Sequence, residues 1–243
     1  MRMNILLIIS VILSTLCTLT YASANTVAEP TEKMIALTFD DGPHPKYTPL
    51  VLDVLKKHNA RATFFMVGER AEKLPEIVLR TSLEGHSIGN HTYNHTELTR
   101  LNDRGIISQI SRTNKAIEGI TGARPVLMRP PLGARNKHID YLIKNQNMYN
   151  IMWNVDPVDW DHKGAQLIHN RVVNKIQSGD IVIMHDFYPN TVIATDMILS
   201  TLKAQGYRFV TVDEILGLFE DMDENASHED VYYNGRSNTW SKD

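Results

Sequence analysis

The chain has almost no cysteine: Cys17 is the only one in 243 residues, and it falls in an apolar N-terminal run. A disulfide framework is excluded, so stability must come from a packed core. Charge of one sign is missing too. The net charge is -3 with no run of lysine or arginine, so neither a nucleic-acid surface nor an anionic-membrane surface is indicated. There are no low-complexity tracts and no internal repeats. What is present, 42% apolar residues over a length suited to one large core, fits a single globular domain of α/β size.

The N-terminus differs in composition from the rest. Arg2 supplies a positive start, residues 5–19 are almost wholly apolar or small, and Tyr21-Ala22-Ser23-Ala24 places small residues at both cleavage-defining positions. This pattern reads as a secretory signal peptide over residues 1–24. A membrane anchor is the competing reading, but the run is at the short end for spanning a bilayer. Leu16 before Cys17 matches a lipoprotein signal poorly. The expected organisation is a signal peptide (1–24), a linker (25–32), one domain (33–220) and a polar, acidic, Asn-rich tail (221–243). The mature protein is expected to be secreted or periplasmic, cysteine-free, monomeric and without a membrane span.

Apolar periodicity alternates between strand and helix along the domain. Strands are expected over residues 34–39, 62–67, 86–88, 126–128, 149–153, 181–184 and 208–211. Helical spacing falls over 47–58, from Pro75 to Gly85, over 101–120 with Gly122 as its stop, and over 139–143, 165–176, 192–204 and 212–219. About seven such alternations imply parallel β/α units, as a barrel or an open sheet.

Chemistry-bearing residues gather at the C-terminal ends of these strands, where such folds place their sites. The first strand ends in Leu37-Thr38-Phe39-Asp40-Asp41-Gly42-Pro43. Adjacent residues there point different ways, which suggests one carboxylate for a metal and one for a proton. Asp, Gly and Pro also favour turns for backbone reasons alone. His91-Thr92-Tyr93-Asn94-His95 spaces two imidazoles four apart, on one face if that turn is helical. With a carboxylate they would make a three-ligand site of the catalytic-zinc kind. Asp156 reads as a turn residue. The remaining histidines read as solvated or capping groups.

The ordered set of Asp40-Asp41, His91-Thr92-x-x-His95, Arg129-Pro130-Pro131-x-Gly133, Asp156-x-x-Asp159-Trp160 and an apolar-x-His ending at His185 resembles the polysaccharide deacetylases of carbohydrate esterase family 4, the NodB homology domain. That resemblance implies a distorted (β/α) barrel of about seven parallel strands. It also implies metal-dependent hydrolysis of N-acetyl groups from an N-acetylglucosamine-containing polysaccharide, whether peptidoglycan, chitin oligomers or a surface glycan. By motif position it implies Asp41, His91 and His95 as metal ligands and Asp40 as general base paired with Arg129. His185 would be the general acid, held by Asp159. Leu132 would contribute its backbone N-H to the oxyanion, while Trp160 and Ile183 would line the groove and acetate pocket. The metal implied is one divalent ion, zinc by default, with cobalt, nickel or iron compatible with the ligands.

Leu132 departs from the aromatic residue common in the family, which bears on sugar contact rather than on the N-H donor. Two other readings remain open: a non-catalytic carbohydrate-binding member of the family, and a facial-triad iron oxygenase, which uses the same donor types.

Overall fold

The computed structural model describes residues 32–161, 163–217 and 232–233. The strands are β1 (Lys33–Asp40), β2 (Thr63–Met66), β3 (Ser87–Asn90), β4 (Leu127–Met128), β5 (Tyr149–Ile151), β6 (Ile181–His185), β7 (Tyr207–Phe209) and β8 (Tyr232–Tyr233). The helices are α1 (Tyr47–Lys57), α2 (Gly68–Lys73), α3 (Pro75–Leu83), α4 (Asp103–Thr121), α5 (Lys137–Lys144), α6 (Ala165–Val173), α7 (Pro189–Ala204) and α8 (Val212–Ile215).

All strand pairs are parallel, in the order β6-β1-β2-β3-β4-β5-β8, with β7 beside the first part of β1. β1 is long enough to serve two neighbours on one edge: Lys33 to Ile35 pair with β7 and Thr38 to Asp40 with β2, while Ala36 to Asp40 pair with β6 on the other edge. Past β5 the chain bends across to β6. The N-H groups of Asn154 and Val155 donate to the Ile181 carbonyl, and the Ile183 N-H donates to the Val155 carbonyl. The sheet is thus a curled, distorted (β/α) barrel, bridged there by Val155 and Val182 rather than by a full ladder.

Sequence dictates this arrangement through burial. Strands covered on both faces must be apolar throughout, and Ile35, Ala36, Leu37 and Phe39 are wholly buried. Phe39 stacks on Phe64 at 5.1 Å between ring centres. Leu52 and Leu55 of α1 and Ile198, Leu199 and Leu202 of α7 share their cluster. Each such side chain contributes about 1.5–3 kcal/mol of burial. At the start of α4 the Asn102 side chain accepts from the Gly105 N-H, and the helix stops at Gly122 in the left-handed conformation. That conformation is cheap for glycine at a helix end.

Two elements differ from the periodicity. α2 has no counterpart in the apolar periodicity, because six residues are too few to show a helical period. The tail, expected as an appendage, supplies β8, which pairs with Asn150 and Ile151 at the sheet edge. Residues 1–24, expected as a signal peptide, the expected linker up to residue 31, His162, His228 and the remainder of the tail lie outside the described residues. Among the described residues no helix is long and apolar enough to cross a membrane.

Candidate metal centre

Strand register assembles the site. Asp40 is the cross-strand partner of His185 on one side and Phe65 on the other, Met66 pairs with Asn90, and Asn90 pairs with Met128. His91 and Arg129 therefore leave adjacent strand ends together. The Arg129 N-H donates to the Asn90 carbonyl at 3.0 Å. His91 Nδ1 in turn lies 2.7 Å from the Arg129 carbonyl. A ring nitrogen facing a carbonyl carries the proton, which leaves Nε2 as the lone-pair donor.

Asp41, His91 and His95 each offer one donor atom, and these atoms lie within 4.8 Å of one another. Asp41 Oδ1 is 2.9 Å from His95 Nε2 and 3.4 Å from His91 Nε2. Yet this buried oxygen has no hydrogen-bond partner among the described residues. A tetrahedral ion with bonds of about 2.0–2.1 Å would space its donors by roughly 3.3 Å. An orphaned carboxylate oxygen facing two imidazole nitrogens at that spacing fits a divalent cation. Burial pushes the Asp41 carboxyl up, but His91 and His95 beside it hold it well below the usual carboxylate range.

The two histidines converge without a helix. Residues 91–95 are irregular, and Thr92 (φ 65°) and His95 (φ 61°) are both left-handed. The expectation that a helical turn aligns the rings is corrected: backbone reversal does so. Asp41 (φ 75°), Leu132 (φ 60°) and Val158 (φ 55°) are also left-handed. Such conformations cost of order 1–3 kcal/mol each and persist where surrounding contacts over-determine them.

Arg129 is fully buried behind the pair of aspartates. Its Nε donates to the Ile151 carbonyl (3.0 Å), NH1 to Thr38 Oγ1 and Asp40 Oδ1 (both 2.7 Å), and NH2 to the Met152 carbonyl (3.1 Å). Four of the five guanidinium hydrogens are thus placed. The group also lies 4.1 Å over the Phe65 ring. Burial pulls its pKa down and Asp40 pulls it up, and arginine stays charged in either case. Asp40 is held at the floor of the site, with Oδ2 3.9 Å from His91 Nε2.

At the end of β6, His185 Nδ1 sits 2.7 Å from Asp159 Oδ1, and the His185 N-H donates to Asp159 Oδ2 at 2.8 Å. Thr191 Oγ1 also donates to Oδ2, at 2.6 Å. Burial pushes the imidazole down, but Asp159, with Asp40 and Asp41 behind it, raises it to about 9. Asp156 accepts from the Val158 N-H at 2.7 Å, a turn role. Ile183 is buried in β6, while Leu132 and Trp160 are 74% and 52% exposed. The turn around Leu132 pairs the N-H groups of Gly133 and Ala134 with the carbonyls of Pro130 and Pro131, leaving the Leu132 N-H out of its pairing.

Several partners carried no local signal. Thr38, Thr191 and Arg70, whose guanidinium donates to the Asp41 carbonyl, are matched to the site only by folding. Asp186 is wholly buried under the Asp41-Gly42 turn. Its Oδ2 takes the Thr48 hydroxyl at 2.5 Å, and any Cβ on Gly42 would collide with it. Of the histidines expected to be solvated or capping, His86 is instead buried, with Nδ1 accepting from the Ala62 N-H and its pKa lowered by burial to about 4.

Residues 28–151 match the family model described as polysaccharide deacetylase. The chain is 43% identical over 187 residues to the peptidoglycan-N-acetylglucosamine deacetylase PgdA of Listeria monocytogenes, covering 77% of this chain and 40% of that protein. It is 42% identical to the peptidoglycan-N-acetylmuramic acid deacetylase PdaC of Bacillus subtilis, with 77% and 39% covered. It thus spans about two fifths of those relatives. A peptidoglycan-N-acetylglucosamine deacetylase of Bacillus cereus is 44% identical over 190 residues, with 76% of this chain and 89% of that protein covered. The solved structure of Bacillus subtilis PdaC superposes with a TM-score of 0.74 at 41% identity, covering 79% of this chain and 93% of that one. A CE4 family pseudoenzyme from Bacillus anthracis superposes at 0.73 and 32% identity, covering 77% and 66%.

Proposed function

The chain belongs to the polysaccharide deacetylase family, and from that membership we propose that it is a metal-dependent hydrolase removing N-acetyl groups from amino sugars of peptidoglycan. The observation that carries this reading is the convergence of Asp41, His91 and His95 beside an arginine-held Asp40 and an aspartate-held His185. The relatives bearing the same fold are named for peptidoglycan substrates, which favours that polymer over chitin or a surface glycan. Action on a cell-wall polymer agrees with export by a cleaved signal over residues 1–24, with residues 33–220 as the working domain and 221–243 as its tail. We take the working form to be a monomer.

A divalent ion, zinc by default, held by Asp41, His91 and His95 would lower the pKa of a water at the site toward neutrality and polarise the acetyl carbonyl. Asp40, fixed by Arg129, takes the proton from the attacking water as its oxygen bonds to the carbonyl carbon. The Leu132 N-H, free of its own turn, donates to the oxygen that gains charge. The C-N bond then breaks. His185, charged through Asp159, gives its proton to the leaving nitrogen, so that acetate and a free amine result. Ile183 lines the acetyl end, and Trp160 and Leu132 offer exposed apolar surface to the sugar.

The test is acetate release from peptidoglycan fragments and chitooligosaccharides by the purified protein, with and without chelator. Release that stops on chelation and returns with zinc is expected. A zinc-loaded protein that binds these glycans and releases nothing would place it with the non-catalytic members. Oxygen consumption with an organic co-substrate would instead favour the iron-oxygenase reading.

A further inference from the structure

The two histidines of the centre are held in different ways. The His91 ring is fixed by its own hydrogen bond, Nδ1 to the Arg129 carbonyl. No hydrogen bond to His95 Nδ1 is formed among the described residues, so its imidazole is aimed by the backbone that carries it. That backbone is left-handed at His95 itself, a conformation a non-glycine residue holds only under constraint.

The constraint is visible bond by bond. The Thr92 N-H donates to Asn90 Oδ1 at 2.8 Å, while Asn90 Nδ2 anchors to the Ile110 carbonyl and to Asn114 on α4. The carbonyls of Thr92 and Tyr93 accept from the Gly68 and Glu69 N-H groups at the start of α2, at 3.0 and 2.8 Å. The last two amides before His95 go to a single atom. Gln109 Oε1 of α4 accepts from the Tyr93 N-H at 2.8 Å and the Asn94 N-H at 3.2 Å. Tyr93 is further clamped by its hydroxyl to Glu72 and by Arg112 over its ring, which fixes its side chain but not the peptide that follows.

We propose that Gln109 is a positioning residue for His95: its side-chain carbonyl fixes the Tyr93-Asn94 backbone and thereby sets the imidazole's place among the metal ligands. This rests on the metal-binding role given above to Asp41, His91 and His95. Gln109 touches neither metal nor substrate. It acts as the outer partner of a ligand that lacks one on its ring. Loss of outer partners of metal-ligating histidines typically weakens metal binding about 10–100-fold.

The experiment compares zinc affinity, by competition with a chromophoric chelator, in the wild type, Gln109→Met and Gln109→Glu, alongside melting of the metal-free proteins. Methionine matches the size but has no strong acceptor, whereas glutamate keeps one. Gln109→Met should bind zinc at least about tenfold more weakly, with a metal-free melting temperature within a few degrees of wild type. Gln109→Glu should remain within about threefold of wild type. The visible absorption of the cobalt-loaded protein should change in the methionine variant and revert in the glutamate one, which loss of general stability would not produce. Equal zinc affinity in Gln109→Met, or an equal fall in Gln109→Glu, overturns the proposal. Should the methionine variant not fold, Gln109→Ser, where water can reach both amides, takes its place under the same criteria. A wild type that binds no zinc, or an Asp41→Ala variant that binds it unchanged, overturns the metal reading itself. That result is distinct from one in which the wild type binds and Gln109 proves indifferent.

Discussion

Asp40 and His185 are direct cross-strand partners at the C-terminal ends of β1 and β6, and each is backed by a group of opposite charge. Arg129 lies behind the carboxylate and Asp159 behind the imidazole, each at 2.7 Å. In the proposed reaction Asp40 would take a proton and His185 give one, the division of labour that amide cleavage needs.

His185 should titrate near 9 in the metal-free protein, measurable by NMR of its ring protons. Because that lies above the ordinary 6.5, the stabilisation is fully present below pH 6.5 and is lost as pH rises through about 9. Cation binding at Asp41 offsets one of the charges that raise it, so the zinc-loaded protein should titrate lower. Asp159→Asn removes the largest raising influence and leaves burial opposed only by the more distant Asp40 and Asp41, so the His185 pKa should fall from about 9 and the alkaline limb of kcat/KM should move down with it. An unmoved limb would remove His185 from the acid role.

The two aspartates should separate cleanly. Asp40→Asn should cut kcat by about 10²–10⁴-fold while leaving zinc affinity within a few fold. Asp41→Asn should lose zinc. Chelator competition and acetate assays on both variants check this, and reversed outcomes would exchange the roles.

Arg129→Met should destabilise the fold by about 3–5 kcal/mol in urea unfolding, because removing one partner of a buried ion pair strands the other. Arg129→Lys keeps the charge, but a single ammonium cannot make the four fork-shaped contacts. It should still lose most of the activity.

Asp186 tests a different side of the site. Burial raises its carboxyl to about 7, from an ordinary 3.8. The folded state therefore holds its proton where the unfolded state has lost it, and stability should fall as pH rises from about 4 to 7. In Asp186→Asn that slope should flatten, read as unfolding free energy against pH. An unchanged slope would mean that Asp186 is ionised in the folded protein.

Much of the architecture was legible in the sequence because its signals are local. Apolar runs of 34–39 and 181–184 announce buried parallel strands, the 101–120 periodicity announces α4, and the motif order places chemistry at strand ends. Short elements were not legible: α2 and β8 are six and two residues long, below any period. The four-residue spacing of His91 and His95 suggests a helical turn, but spacing alone does not reveal that Thr92 and His95 are left-handed.

What the sequence determined by itself was which side chains exist at the ends of which strands, since burial on both faces leaves a parallel strand little choice of composition. What only the tertiary structure decided was how they meet. Register across β1, β3, β4 and β6 brings Asp40, His91, Arg129 and His185 together, and distant groups such as Thr38, Thr191 and Gln109 then take up the hydrogen bonds that hold them there. Those partners are chosen by packing over long separations, where a residue's neighbours in sequence carry no record of its neighbours in space.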